Sequence, residues 1–377
     1  MNERHRFIRD YRSGLYSMTE LCRRFRISRK TGYKWVGRFE EEGAEGLEER
    51  SRAPKHCPHR MDERVARAIV EARRGHPTWG PKKLVAWLAA RDPSLRLPAP
   101  SSAGALLARE GLVAPRKRRR GRPSEHPGPP RFPAEEANDL WTADYKGEFR
   151  MGDRWYCYPL TIADQVSRYL LGIQAMDTTD GYGAKQVFTR VFQEAGLPRA
   201  IQTDNGSPFA SRGMLGLTDL SVWWIELGIL PVRIQPRHPE QNGAHERMHR
   251  TLKAETASPP AGNRSAQQRR FNRFRREYND ERPHEALGQQ PPAKHWRPSR
   301  RKLPASIPPP PYPDHFETRV VSGNGAFFFL HPKPTFISTC LAGKCLGFEE
   351  TEHGIWSVYY YNVLLGRLNE EERTIYA

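Results

Sequence analysis

The chain has 377 residues, and 61 Lys+Arg against 43 Asp+Glu leave it at +18, with a pI near 9.9. That length exceeds one ordinary core and implies roughly two to four domains. The basic excess points to a polyanionic partner, with nucleic acid first in line, and no apolar run approaches the roughly 18 residues of a membrane span. The opening Met1-Asn2-Glu3-Arg4-His5-Arg6 is charged and lacks the apolar stretch of a signal peptide, so neither a membrane nor a secreted protein is expected. Five scattered cysteines without a CxxC read as reduced thiols in a cytoplasm.

In chain order, Ser17 is placed to cap a helix running to Phe25, with Leu21 inside it. Arg26-Ile27-Ser28 makes a short turn, and Ser28 caps a second helix carrying Tyr33, Val36 and Phe39 at three-residue spacing. Two short helices joined by a tight turn around a buried Ile form a helix-turn-helix, expected as a DNA-binding domain over 1–50. Arg29, Lys30, Thr31 and Lys34 lie off its apolar stripe, near the N-terminus where a recognition helix meets base edges. His56-Cys57-Pro58-His59 packs three possible zinc ligands together, but no second half-site follows and structural zinc is not expected.

Residues 62–114 read as a second, weaker helix-turn-helix-like domain. Asp62 caps a helix with Val65, Ile69 and Val70; Gly80-Pro81 opens another with Leu84, Val85 and Leu88; Ser101 and Ser102 start a third that stops at Gly111. A basic, proline-rich linker, 115–135, follows. Its Arg120-Gly121-Arg122-Pro123 resembles an AT-hook core: glycine lets the backbone approach a narrow minor groove, and Arg120 and Arg122 point inward.

The block 136–297 alternates strands and helices. Leu140–Tyr145, Trp155–Ala163 and Ser167–Gln174 are β-rich; Gly181–Ala195 is helix-like; Arg199–Thr203 is a short strand. Leu217–Leu227 is helical, Val232–Ile234 a strand and His245–Thr256 a charged helix. Three antiparallel strands followed by αβαβα is the order of an α/β ribonuclease-H-like core. A second proline-rich linker, 298–315, leads to 316–377, whose five β-rich runs predict a small SH3-like β-barrel. The fold class is therefore multidomain: all-α modules, an α/β core and a small β-barrel.

In that strand order Asp144 and Asp204 close two adjacent strands, and Glu246 lies on a helix able to cover the same sheet edge. Two hard divalent cations about 4 Å apart, clamping the oxygens of a phosphodiester, need an all-oxygen site with several negative charges. Asp164, a fourth acid, fits a structural strand-turn position with Ser167 and Arg168. Arg250 and Lys253, four and seven residues beyond Glu246, share its helix face and are candidates to hold DNA phosphates.

Trp141-Thr142-Ala143-Asp144, Thr203-Asp204-Asn205-Gly206-Ser207-Pro208-Phe209 and His238-Pro239-Glu240-Gln241-Asn242-Gly243-Ala244-His245-Glu246-Arg247 resemble the three catalytic blocks of the retroviral-integrase-like superfamily, above all its bacterial insertion-sequence transposases. Tyr278–Leu287 resembles the segment that follows their core. The resemblance implies Asp144, Asp204 and Glu246 as metal ligands, two Mg²⁺ with Mn²⁺ as substitute, and cleavage of element ends followed by strand transfer. It also implies double-stranded DNA as partner, a homo-oligomer on that DNA, and a bacterial cytoplasm with the nucleoid at hand. Between Asp204 and Glu246 lie 41 residues, several more than the retroviral interval, and the excess is assigned to a loop at 211–217. Three rivals are weaker. A nuclease that only cuts does not need two N-terminal DNA modules, a dead-core regulator does not need the acids, and a tyrosine recombinase needs Arg and His around a Tyr nucleophile.

Overall fold

The computed structural model describes residues 3–49, 61–113, 132–211, 213, 215–235, 239–372 and 374–376, and divides the chain into two units, Met1–Arg60 and Met61–Ala377. The Arg120–Pro123 element and the His56–His59 cluster lie outside the described residues.

The first unit holds helices α1 (Glu3–Arg12), α2 (Met18–Arg24) and α3 (Arg29–Glu42). Ser17 caps α2 in a capping box with Glu20, and the Ser28 hydroxyl accepts from the Thr31 amide to start α3. Phe7, Ile8, Leu21, Cys22, Val36 and Leu47 form its core. One expected core residue differs: Tyr33 is 54% exposed, and Gly32 takes the inward place beside it. The reason is distance, because a Cβ at Gly32 would stand 2.7 Å from the Cys22 sulfur, so only glycine lets α3 cross α2 this closely. Tyr33 is thereby left on the exposed face with Arg29, Lys30 and Lys34.

The second unit opens with α4 (Glu63–Gly75), α5 (Pro81–Arg91) and α6 (Pro100–Arg109), with Asp62 capping α4 and Pro81 at the first turn of α5. Trp79, wholly buried, fills their centre with Ile69, Leu84 and Leu107. This bundle is tied to the rest of the unit by His76 Nδ1 to Glu277 (2.8 Å), Arg91 to Glu281 (3.5 Å) and a contact between Thr78 and Glu255.

The sheet that follows contains β1 (Leu140–Tyr145), β2 (Phe149–Arg150), β3 (Tyr156–Asp164), β4 (Leu170–Met176), β5 (Ala200–Thr203) and β6 (Leu230–Arg233). β3 pairs antiparallel with β1, β2 and β4, while β1, β5 and β6 run parallel, which is the ribonuclease-H-like order. Helices α7 (Gly181–Ala195) and α8 (Asp219–Glu226) cover one face, packing Phe188, Phe192 and Trp224 on Trp141, Leu160 and Ile201. Helices α9 (Gly243–Thr256) and α10 (Arg264–Arg276) cover the other, with Leu252, Phe271 and Phe274 against Leu170 and Ile173. No helix among the described residues is long and apolar enough to cross a membrane.

The tail corrects an expectation. β7 (Glu317–Val320), β10 (Cys345–Glu352), β11 (Ile355–Tyr360), β12 (Val363–Asn369) and β13 (Thr374–Tyr376) form an open antiparallel sheet in the order β13-β12-β11-β10-β7. β8 (Ala326–Phe327) and β9 (Thr335–Phe336) pair only with each other, and no ladder among the described residues closes a barrel. The β-rich run 355–365 is two strands, because Tyr361 adopts φ 51° and turns the chain. One face is instead covered by α8 and the residue ahead of its cap: Val222 and Ile225 of α8, with Leu217, share a core with Phe327, Phe348 and Tyr360. The proline-rich approach to this sheet is pinned at both ends. Arg301 donates to the carbonyls of Leu227 (2.9 Å) and Gly228 (2.8 Å), and the Tyr312 hydroxyl lies within hydrogen-bonding distance of those of Cys345 (2.9 Å) and Tyr359 (3.1 Å).

Candidate active site

Strand alternation decides which side chains meet α9. Trp141 and Ala143 of β1 and Leu160 and Ile162 of β3 enter the core under α7, so Thr142, Asp144 and Thr161 face the opposite way. Asp144 stands across from Thr161 in the β1–β3 ladder. Asp204 follows β5 directly, and one of its oxygens accepts from the Gly206 amide at 3.1 Å. Glu246 lies in the first turn of α9 and is exposed.

The buried face of α9 contributes two residues to which the sequence analysis gave no role. His245 and His249, one turn apart, meet the threonines: Thr161 Oγ1 lies 2.7 Å from Nε2 of each histidine and 3.0 Å from the Asp144 carbonyl, while Thr142 Oγ1 lies 2.8 Å from His245 Nδ1. A hydroxyl has one proton. If Thr161 gives it to the Asp144 carbonyl, both imidazoles donate from Nε2, and His245 accepts at Nδ1 from Thr142. Both His245 nitrogens and His249 Nε2 are then satisfied with both rings neutral, and His249 Nδ1 is left as an open acceptor. Burial agrees, holding His245 down to about 3 and, with the neighbouring His245 and Lys146, His249 down to about 2.

Asp144 is the unsatisfied member. Burial first, then the charge of Asp204, and to a smaller degree that of Glu246, raise its carboxyl to about 7, against a hydrogen bond from Asn242 Nδ2 (3.3 Å) and the charge of Lys146. Its Oδ2 also faces His249 Nδ1 at 3.7 Å. With His249 neutral this is no ion pair but a lone pair turned toward a carboxylate, which a proton or a cation between them relieves. Asp144, His245 and His249 are the cluster among the described residues whose ligand atoms fall within 4.8 Å of one another. Both His245 nitrogens are occupied by threonines, however, so the donors left open are carboxylate oxygens and one His249 nitrogen. That set suits a hard divalent cation.

The other candidates distribute as follows. Asp164 is buried and spends its oxygens on the amides of Asn138 (2.7 Å) and Ser167 (2.7 Å) and on the Ser167 hydroxyl (2.6 Å). Arg250 and Lys253 are exposed on α9; Arg29, Lys30 and Lys34 are exposed on α3, and Thr31 touches the Ser28 cap at 2.9 Å. Glu240 belongs to a short 3₁₀ turn, Pro239–Asn242, just before α9. Thr142, Thr161, His249 and Asn242 went unnoticed because each is polar and unremarkable alone. The usable signal was His245-x-x-x-His249 on either side of Glu246, with hydroxyls at alternating strand positions.

Comparison with known proteins agrees with this architecture. Two models described as an integrase core domain match residues 134–239 and 227–292. A helix-turn-helix domain model matches 3–55, and a homeodomain-like domain model matches 31–107. The chain thus carries an integrase core domain over residues 134–292, preceded by helix-turn-helix domains. The chain is similar to insertion-element proteins: it is 30% identical over 159 residues to the insertion element IS476 uncharacterized 39.2 kDa protein of Xanthomonas euvesicatoria, covering 42% of this chain and 44% of that one. It is 27% identical over 152 residues to the insertion element IS407 uncharacterized 31.7 kDa protein of Burkholderia multivorans, covering 40% and 52%. The chain spans about half the length of these relatives. Among solved structures, the HTLV-2 integrase catalytic core domain in complex with magnesium is 14% identical, with a TM-score of 0.33, covering 42% of this chain and 97% of that one.

Proposed function

We propose that the protein is a polynucleotidyl transferase that binds the ends of its own element, cleaves them to expose a 3′-hydroxyl and joins that hydroxyl to target DNA. Asp144, Asp204 and Glu246 act as its metal-binding triad. The observation that carries this reading is the Asp144 carboxyl, raised to about 7 by burial and by two neighbouring acids, in a site whose open donors are carboxylate oxygens and one His249 nitrogen. A group so unfavourable when ionised is expected where a cation completes the site.

Two Mg²⁺ ions, or Mn²⁺ in their place, would activate the attacking oxygen and stabilise the leaving one. The chain's own residues supply the rest. Asn242 orients Asp144 Oδ2, and the Thr142–His245–Thr161–His249 network fixes α9, and with it Glu246, against β1 and β3. Arg250 and Lys253, on the Glu246 side of α9, hold phosphates of the bound duplex, and Arg29, Lys30, Thr31 and Lys34 read the element end. Arg120 and Arg122 would follow the minor groove between these modules. No protein nucleophile is required: water attacks in the first step and the freed 3′-hydroxyl in the second. In this reading the working form is a homo-oligomer on double-stranded DNA, in a bacterial cytoplasm in contact with the nucleoid. The domain division is the one drawn from the sequence, 1–50, 62–114, 136–297 and 316–377 with linkers 115–135 and 298–315.

The test is a labelled duplex carrying the sequence that flanks the reading frame, incubated with the full chain and Mg²⁺ or Mn²⁺. Metal-dependent nicking at the end and joined product, both lost in Asp204→Asn, are expected. Nicking that persists in Asp204→Asn refutes the triad, and nicking without joining reduces the protein to a nuclease.

A further inference from the structure

On the flank of α9 turned away from Glu246 lies a cleft of about 290 Å³ between that helix, the α5 N-terminus and the turn after α10. Its polar lining is almost entirely cationic: Lys83, Arg168, Arg247 and Arg282, with His284 and the Tyr278 ring beside them; Glu285 at the rim is paired with Lys82 at 2.8 Å. These cations oppose one another. Burial and then Arg282 lower Lys83 to about 8; burial and Arg247 pull Arg168 down, with Tyr278 and Asp164 acting the other way. Arg282 is answered by Glu255 at 2.7 Å and Lys83 by the Pro283 carbonyl, yet Arg168 Nη1 and His284 Nε2 are buried with no hydrogen-bond partner. A buried guanidinium nitrogen without an acceptor, among mutually repelling cations, is the setting that a bound anion completes.

We propose that this cleft is a phosphate site, and that its occupant is a backbone phosphate of the DNA strand leaving the acidic site. The proposal rests on the DNA-transferase reading for the identity of the strand, while the cleft itself stands on its own geometry. The path is set by helix periodicity. Glu246, Arg250 and Lys253 form one stripe of α9, and Ala244, Arg247, Met248 and Thr251 form the one that lines the cleft. Arg250 and Arg247 are exposed between them, so cations continue over the crest from the acids to the cleft. A helix is about 10–12 Å across, which a strand rising about 3.4 Å per nucleotide covers in on the order of three phosphates. Arg168 is the fork that receives the phosphate, and Lys83 brings the α4–α6 bundle to the same group.

The experiment uses the full-length protein and a short duplex carrying the flanking sequence, with single phosphates replaced in turn by neutral methylphosphonate. One replacement within a few nucleotides of the cleaved bond should weaken binding by roughly 3- to 10-fold in the wild type and not at all in Arg168→Gln. Arg168→Gln and Lys83→Gln should each make the salt slope of binding shallower by about 0.9. Arg168→Lys should keep the slope. Inorganic phosphate at millimolar concentration, followed by thermal shift, is the second arm. If it stabilises the wild type and not Arg168→Gln while no methylphosphonate couples to Arg168, the occupant is a free anion and the DNA assignment is overturned. If neither arm responds, the cleft is not a phosphate site. Loss of joining with coupling intact would instead count against the transferase reading alone.

Discussion

Replacing Asp144 by asparagine should make the metal-free protein more stable while abolishing its activity. An Asp in the unfolded chain titrates near 3.8, whereas in the fold burial and Asp204 raise the Asp144 carboxyl to about 7. The raised value means the folded state prefers the protonated form. Its stabilising effect is therefore complete below about pH 4 and is lost as pH rises toward 7. By pH 8 the ionised carboxylate costs the fold about 4 kcal/mol, taking about 1.36 kcal/mol for each tenfold change in proton affinity. The amide introduced by Asp144→Asn carries no charge and can still accept from Asn242, so the variant escapes that cost. Urea unfolding in EDTA, followed by fluorescence of the buried Trp141 and Trp224, is the assay. The wild type should lose stability between pH 5 and pH 8 relative to Asp144→Asn by a few kcal/mol, and Mg²⁺ should restore it at pH 8 in the wild type only. A difference between the two proteins that is the same at both pH values would refute the argument, because it would mean Asp144 is not held out of its ionised form.

Other outcomes follow from the same geometry. Residues 1–114 should bind the flanking duplex without Mg²⁺, with affinity falling steeply as salt rises; salt-insensitive binding, measured by anisotropy, would contradict the assignment of Arg29, Lys30 and Lys34. Arg250→Ala with Lys253→Ala should weaken crosslinking to end DNA and lower the salt slope by about 0.9 per lost contact, leaving the melting temperature unchanged. Unchanged crosslinking and joining would remove both residues from the interface. Glu246→Gln should reduce cleavage and joining by more than about 100-fold without affecting end binding, while Glu240→Gln retains substantial activity. The reverse pattern would place the third acid in the turn before α9.

Much of this was legible in the sequence wherever a local rule governs. Ser17, Ser28 and Asp62 announce helix starts that the structure has, and helix α7 begins and ends at Gly181 and Ala195 as its periodicity indicates. Local rules failed where tertiary contact decides. Helix α10 carries so many arginines that its apolar stripe, Phe271 and Phe274 continuing to Tyr278, is diluted below notice, yet those residues are buried against β4. The five expected tail runs fall on β7 to β12 and omit β13, and closure was not a local matter: the sheet has α8 to pack on and needs no barrel to cover its apolar face. The histidine network needs three elements in register before any of its members has a partner, so no window of sequence contains it.

The interval between the second and third acids is best understood from α9 rather than from counting. Asn242, just before the helix, is bonded to Asp144, and His245 and His249 are bonded to β1 and β3, so the rotation of α9 is set by contacts on both sides of Glu246. One residue added between Asn242 and Glu246 would turn every later side chain by about 100°. It would carry Glu246 off its stripe, drive Arg247 toward the core and pull the histidines away from their threonines. Residues added before Asn242 meet no such constraint. Among the described residues near 211–217, Leu217 lies in the core shared with the tail and its carbonyl faces Cys340 Sγ at 3.6 Å, while the Leu215 carbonyl accepts from Arg233 of β6 at 3.3 Å. The chain can therefore lengthen there without moving an acid. On the proposed triad, an interval of 41 residues leaves the site undisturbed when the added length is taken up at 211–217 and the Asn242–Glu246 spacing is left alone.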